Sequence, residues 1–446
     1  MKKVKLSPSK STGNQAAPAS KPRKSRTAPI SGGFVVVIAV LLIAVYFWGD
    51  NANPNGNAFN QMVDVVLRVL TGEDGATPAE RTAEPTRART VRQPVPTATT
   101  AADAPLPDQP GSASTPAETS ADWYTIYFTT PALDGSPCAD ATRAGANDID
   151  TIIARDVEAA QQQIDIAAFE LNAEPIVNAL LAAKARKLTV RVVIDSDHAG
   201  EESIRRLRRG GISVVEDQRS AFMHNKFVVI DNHTLWTGAM NFTDNDVYCN
   251  NNNTVRFVAP QLAANYTLEM DEMYVGRSFG PTSPDNTPAE VLTISGVRVE
   301  NYFSPEKEKE LVNLLARTVA RADSEILFMG FSFTNAAIGE AMLGRAEGGV
   351  TMRGVFETTG SSGEQSYYDD MRQIGLDNVQ VRQDGNPRIM HHKVIIIDRQ
   401  TTVFGSFNFS NNANNSNDEN ILIVYDPDFT KAFVQEFERV WAAAKE

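Results

Sequence analysis

Residues 224–241 read HNKFVVIDNHTLWTGAMN and residues 391–408 read HHKVIIIDRQTTVFGSFN. The two stretches agree at five positions with identical gaps. His224 and His391 are followed two residues on by Lys226 and Lys393, and five further on by Asp231 and Asp398. Gly238 and Gly405 come seven after the Asp, and Asn241 and Asn408 three after the Gly. The apolar runs FVVI and VIII between Lys and Asp read as buried strands, on which residues two apart point the same way. Each histidine therefore shares a face with its lysine. On such a face an imidazole can meet a phosphorus atom, while the ammonium and the Asn amide neutralise a non-bridging oxygen. The Gly lets the backbone turn tightly beside the site.

Outward from these stretches the repeat continues. YFTTP at 127–131 is echoed by YFSP at 302–305, IDIAAFELNAEPI from Ile164 by ILFMGFSFTNAAI from Ile326, and TVRVVID ending at Asp195 by MRGVFE ending at Glu357. Each echo reads as a strand. Helical patterns lie between them, AEPIVNALLAAKARK from Ala173 and NAAIGEAMLGRAEGG from Asn335. The fold class is therefore α/β, in two similar lobes, each a mixed sheet with helices. GPTSPDNTPAE from Gly280 has the Pro, Asp and Asn density of a connector. It sets the lobes at 122–285 and 286–446.

The N-terminal part is of another kind. Residues 1–31 are basic, with eight Lys/Arg and no acid in the first thirty, so the rest of the chain carries a net charge of -21. Residues 32–49 contain GFVVVIAVLLIAVYFW, uncharged and near the lower length limit for crossing a bilayer. The positive-inside rule keeps the tail cytoplasmic and sends the lobes outward. Tyr46, Phe47 and Trp48 stand where a signal peptide would carry its small-residue cleavage site, which favours an uncleaved transmembrane anchor. Residues 50–121 are a juxtamembrane segment and tether. Phe59, Met62, Val63, Val66, Leu67 and Leu70 recur there at helical spacing, and a Pro/Thr/Ala-rich stretch follows. Cys138 and Cys249 are too few for a disulfide framework or a Cys-based zinc site, and can form one bridge.

The paired motif resembles the signature of the phospholipase D superfamily, H-x-K-x4-D followed by G-[AGS]-x-N. The resemblance covers about residues 123–446. It implies two lobes related by a pseudo-two-fold axis with both motifs at one cleft, one His forming a phosphohistidine and the other protonating the leaving oxygen and then activating water. It implies no metal and no cofactor, which makes Asp231, Asp398, Gly238 and Gly405 motif scaffold. The run FSNNANNSNDEN after Asn408 resembles the family's N-x-E-N ending and places Glu419 to orient His391. The same interval from Asn241 lands on Asn252. On that reading the catalytic set is His224, Lys226, Asn241, His391, Lys393, Asn408 and Glu419. His391 is the more easily charged ring, since Asn252 cannot stabilise an imidazolium as a carboxylate does. Family precedent makes His224 the nucleophile. His198, His233 and His392 read as surface or packing histidines.

Three function classes follow. The first is a membrane-anchored hydrolase of phospholipid phosphodiesters such as phosphatidyl esters or cardiolipin. The second is a nuclease, since MHHK and NDEN resemble the endonuclease and cardiolipin-hydrolase branch. The third is an inactive binding protein on the same fold. The acidic lobes repel nucleic acid on average, which tilts the reading towards lipid, and the intact motifs argue against the third class. No obligate protein partner is implied.

Overall fold

A computed structural model describes residues 117–131, 148–306 and 310–445. The chain divides into residues 1–106 and 107–446. The basic tail, the anchor and nearly all of the tether lie outside the described residues. Among those described, no helix is long and apolar enough to cross a membrane.

The first lobe contains β1 (Ala117–Ala121), β2 (Tyr124–Phe128), β3 (Gln163–Ala168), β4 (Thr189–Ile194), β5 (Ser213–Glu216), β6 (Phe227–Ile230), β7 (Thr234–Gly238) and β8 (Asn253–Val258). The second contains β9 (Val291–Ile294), β10 (Val297–Ser304), β11 (Glu325–Gly330), β12 (Thr351–Phe356), β13 (Val379–Gln383), β14 (Lys393–Ile397), β15 (Thr401–Gly405) and β16 (Glu419–Tyr425). One sheet runs β1-β2-β8-β7-β6-β3-β4-β5 and the other β9-β10-β16-β15-β14-β11-β12-β13, the same order twice. Both are mixed sheets: β3, β4 and β5 pair in parallel, as do β11, β12 and β13, and the remaining ladders are antiparallel. The sequence reading put AETSA at 117–121 in the tether, whereas it forms the edge strand β1. That stretch has no large apolar residue. Its order comes from pairing with β2 across the turn at Asp122 and Trp123.

The unbroken apolar runs are explained by two-sided burial. Phe227 and Val229 face a core that contains Val394 and Ile396 of the other lobe, together with residues of the helices Pro260–Asp271 and Pro427–Ala443. Val228 and Ile230 face the first lobe's outer core, and Ile395 and Ile397 the second's. Strand alternation thus gives every residue of the motif strands an apolar neighbour on one side or the other.

The motif aspartates sit at the far ends of β6 and β14 from the histidines. Asp231 and Asn232 (φ 52° and 56°) and Asp398 and Arg399 (φ 52° and 54°) form two-residue turns of the primed kind that suits the strand twist. Each carboxylate accepts three successive backbone N–H groups. Those on Asp231 come from Gln161, Gln162 and Gln163 at 2.7, 2.7 and 2.9 Å. Those on Asp398 come from Asp323, Ser324 and Glu325 at 2.8, 2.7 and 2.9 Å. They fasten the hairpin to the start of β3 or β11, and these bonds hold both carboxyls below the usual range despite partial burial. The glycines answer to crowding rather than to a turn. A Cβ at Gly238 would lie 2.5 Å from the carbonyl oxygen of Asn253, and one at Gly405 would lie 2.3 Å from that of Asn420.

Asp398→Ala should therefore lower unfolding stability by about 1–2 kcal/mol in urea, as expected for lost charge-assisted bonds at a partly exposed site. Turnover per folded molecule should be retained. A fully folded variant without activity would place Asp398 in the chemistry instead.

Candidate active site

The segments entering β6 and β14 run into the opposite lobe. Met223 is bridged to Asp418, and Asn251 to Met390. The His224 N–H donates to the carbonyl of Asp418 at 2.9 Å, and the Asp418 N–H to that of Phe222 at 2.9 Å. In the mirrored contact the Asn251 N–H donates to the carbonyl of Ile389 at 2.8 Å, and the His391 N–H to that of Asn251 at 2.8 Å. The beginning of each long strand, β16 or β8, thus lies against the histidine of the other motif.

This exchange corrects the sequence pairing. Glu419 does not orient His391: its Oε2 is 2.7 Å from Nδ1 of His224. Asn252 lies not on His224 but beside His391, with its Nδ2 3.3 Å from Nδ1. Counting along the chain assigns the carboxylate to the motif it follows. In the sheet, however, β15 separates β16 from β14, and the interlobe bridges carry its first residue to the other histidine. The premise that His391 alone has a carboxylate partner falls with it. Glu419 is fully buried, accepts from Ser406 Oγ (2.7 Å) and Asn417 Nδ2 (3.1 Å), and is pushed up to about 7 by burial.

His391 has a carboxylate neighbour that the sequence reading missed. Asp246 stands in the first turn of the short helix Asp244–Tyr248, where its N–H donates to the N-cap Thr243 Oγ1. Its Oδ2 lies 3.4 Å from Nδ1 of His391 and accepts the Asn241 N–H at 2.6 Å, and the Asn250 amide donates to Oδ1. Burial opposes the charge on Asp246, but the ring of His391 and these donors prevail and hold it at about 2. At the corresponding place in the second lobe stands Ala413. One carboxylate thus serves each histidine, tightly at His224 and loosely at His391, and the two come from non-equivalent positions.

Burial and the nearby ammonium groups press both rings towards neutrality. His391 falls to about 4, and His224 falls well below the usual imidazole range under burial, Lys226 and Lys393. The lysines curl back, Lys226 Nζ donating to the His224 carbonyl and Lys393 Nζ to the His391 carbonyl, both at 2.8 Å. Each lies over an aromatic floor, Phe169 at 5.1 Å and Phe331 at 4.5 Å from the ring centroid. Burial lowers Lys226 to about 8, and burial with the charge of Lys226 lowers Lys393 well below the usual range. Phe169 and Phe331 were legible as the aromatics in the echoed IDIAAFEL and ILFMGFSF, but neither was singled out. The side-chain oxygens of Asn241 and Asn408 are buried and meet no donor among the described residues.

The other histidines stand apart. His198 Nδ1 lies 2.6 Å from Glu201, and His233 touches Thr234. His392 points away from the motif face, as alternation requires, but is fully buried rather than superficial, between Asn253 (2.8 Å) and Glu436 (3.0 Å). Cys249 is disulfide-bonded, and the chain's other cysteine, Cys138, lies outside the described residues.

Four buried basic side chains that feel one another's charge destabilise each other's charged forms and favour an anion among them. The sequence matches the family described as "Cardiolipin synthase, PLD-like domain" over residues 153–274 and 315–441. Human mitochondrial cardiolipin hydrolase is 34% identical over 138 residues, covering 31% of this chain and 53% of that protein. The chain thus spans about half the length of that relative. The solved phospholipase D family member Nuc from Salmonella typhimurium shows 30% identity over 33% of this chain and 95% of its own, with a TM-score of 0.31. Phosphatidylserine synthase from Haemophilus influenzae shares the fold at 14% identity, with a TM-score of 0.53 over 65% of this chain and 83% of its own.

An anion entering this cleft should restore protons to the depressed bases. Calorimetric titration with tungstate at pH 8, in buffers of different ionisation enthalpy, should show net proton uptake that shrinks in Lys226→Met. Binding without proton exchange would mean that the anion leaves the protonation of these groups unchanged, contrary to this account.

Proposed function

The chain belongs to the phospholipase D-like family, and we propose that it is a membrane-anchored phosphodiesterase that hydrolyses a phospholipid through a phosphohistidine intermediate. The observation that carries this reading is the crossed pairing of Glu419 with Nδ1 of His224, which makes Nε2 the nitrogen that attacks phosphorus. Attack joins Nε2 to phosphorus and expels the alcohol oxygen. The ring then becomes cationic, and a carboxylate at Nδ1 is the partner that such a ring requires. His391 gives the proton to the departing oxygen, with the anionic phosphate and Asp246 raising its proton affinity once substrate is bound. The same ring then takes a proton from water, which attacks phosphorus and frees His224. Lys226, Lys393, Asn241 and Asn408 hold the non-bridging oxygens.

Lipid is favoured as substrate by the rim of the cleft. Phe222 is 40% exposed, against Phe169 at 5.1 Å between ring centroids and 6.3 Å from the ring of His224. An apolar side chain held open beside the nucleophile suits a glycerolipid better than a polyanionic strand. The acidic charge of the lobes and the name of the human relative point the same way. The apolar stretch at 32–49 would hold the enzyme at its substrate, with residues 1–31 cytoplasmic and the lobes outside.

Detergent-solubilised full-length protein should release the head group from labelled cardiolipin or phosphatidyl esters at 20 °C with chelator present, and His224→Ala should not. Lys226→Met and Lys393→Met should each lose about a hundred-fold or more in rate while remaining folded. Cleavage of single-stranded DNA or RNA with lipids untouched would make the protein a nuclease, and activity in both lysine variants would refute the assigned site. For topology, protease added to intact cells should release the lobes by cutting between residues 71 and 116. Protection of that stretch would reverse the orientation.

A further inference from the structure

Behind the cleft, the two lobes differ in a way their symmetry makes readable. Glu269 on the helix Pro260–Asp271 stands to Glu436 on the helix Pro427–Ala443 at the same sequence separation as His224 to His391, and so does Glu272 to Arg439. Asn225 and His392, the middle residues of the two H-x-K triplets, hold the two glutamates. Asn225 Nδ2 donates to Glu269 at 2.8 Å, and His392 Nε2 lies 3.0 Å from Glu436.

In the second lobe the buried carboxylate has a cation. The Arg439 guanidinium bonds Glu436 at 2.6 and 2.8 Å, and reaches into the first lobe to Asn251 Oδ1 (3.0 Å) and the carbonyl of Thr129 (3.3 Å). In the first lobe the arginine is replaced by Glu272, and Glu306 of the second lobe joins the group. One ligand oxygen from each of Glu269, Glu272 and Glu306 lies within 4.8 Å of the others. Glu269 and Glu272 are only 3% and 7% exposed, and no donor among the described residues reaches Oε2 of either. Although Asn225 bonds Glu269 and Asn286 bonds Glu272, each of these two carboxylates thus keeps one buried oxygen without a donor, at the place where the other lobe keeps a positive charge.

We propose that Glu269, Glu272 and Glu306 bind a hard divalent cation of the calcium class, which ties the two lobes together as Arg439 does on the other side of the pseudo-two-fold axis. Carboxylate oxygens are the ligands such ions select, and three oxygens within 4.8 Å of one another can close around an ion at about 2.4 Å from each with side-chain shifts of a few tenths of an ångström. The role is structural. Among the described residues, Asn225 links Glu269 to the first motif.

The test uses the detergent-solubilised full chain, stripped with chelator and desalted. Equilibrium dialysis against calcium should show about one ion retained per chain. Millimolar calcium should raise the unfolding temperature, whereas sodium at equal ionic strength should not. Magnesium and manganese are run as separate arms. Glu272→Gln should lose the retained ion and the thermal shift together. Glu272→Arg, which gives the first lobe the second lobe's arrangement, should unfold at a higher temperature than chelator-treated wild type and no longer respond to calcium. If no divalent ion is retained by wild type and none moves its unfolding temperature, the proposal is overturned and shared protons neutralise the cluster. Undiminished retention in Glu272→Gln would equally overturn it, because the ion would then sit elsewhere. None of these readings depends on the substrate or on turnover.

Discussion

The pair of interlobe backbone bridges, Met223 with Asp418 and Asn251 with Met390, is the constraint on which the rest of the molecule depends. Each bridge lays the first residues of one lobe's long strand against the histidine of the other, so neither lobe can complete the surroundings of its own motif histidine by itself. Glu419 reaches His224 only because Asp418 is fixed beside Met223. Side chains beneath the bridges repeat the exchange: Asn420 of the second lobe donates to Asn225 of the first, and Asn253 of the first meets His392 of the second. A buried polar network of this kind is costly unless nearly every member finds its partner. Assembly of the lobes and assembly of the site are therefore one event.

Within that frame the two halves differ in the carboxylates that face the rings and stay alike where geometry must. The sheet order, the aspartate hairpins and the glycines crowded by a neighbouring strand are duplicated. The carboxylates that face the rings are not. His224 has a close, fully buried partner that Ser406 and Asn417 also hold, whereas His391 has a longer contact to Asp246 and a competing amide from Asn252. On the proposed mechanism, a ring that carries phosphorus and positive charge gains from the first arrangement. A ring that must gain and lose a proton gains from the second, because neither protonation state is locked. The same logic of one charge kept and one replaced appears behind the cleft, where Arg439 faces Glu272 across the axis.

Much of this was legible from residue order. The repeated motif gave the strands, the shared face of His and Lys and the two α/β lobes. What could not be read was which lobe a side chain visits. Glu419 follows His391 in sequence, and nothing local tells that the start of β16 is bridged to the other motif. Asp246 was hidden for a related reason: it has no counterpart in the second lobe, so a search guided by the repeat passes over it. Gly238 and Gly405 were expected at a turn, whereas the backbone of a neighbouring strand demands them. Glu306 joins Glu269 and Glu272 only through lobe packing.

The crossed pairing becomes a statement about reaction chemistry through the identity of the phosphorylated ring. His391→Ala should be mixed with a phosphodiester bearing a good leaving group, which needs little protonation to depart. It should then be quenched in alkaline denaturant, where phosphohistidine survives, and mapped by mass spectrometry. A phosphoryl adduct on His224, slow to hydrolyse and absent from His224→Ala, is the predicted result. In wild type, an adduct found on His391 and not on His224 would contradict it, since the ring held by Glu419 would then be the proton carrier rather than the nucleophile.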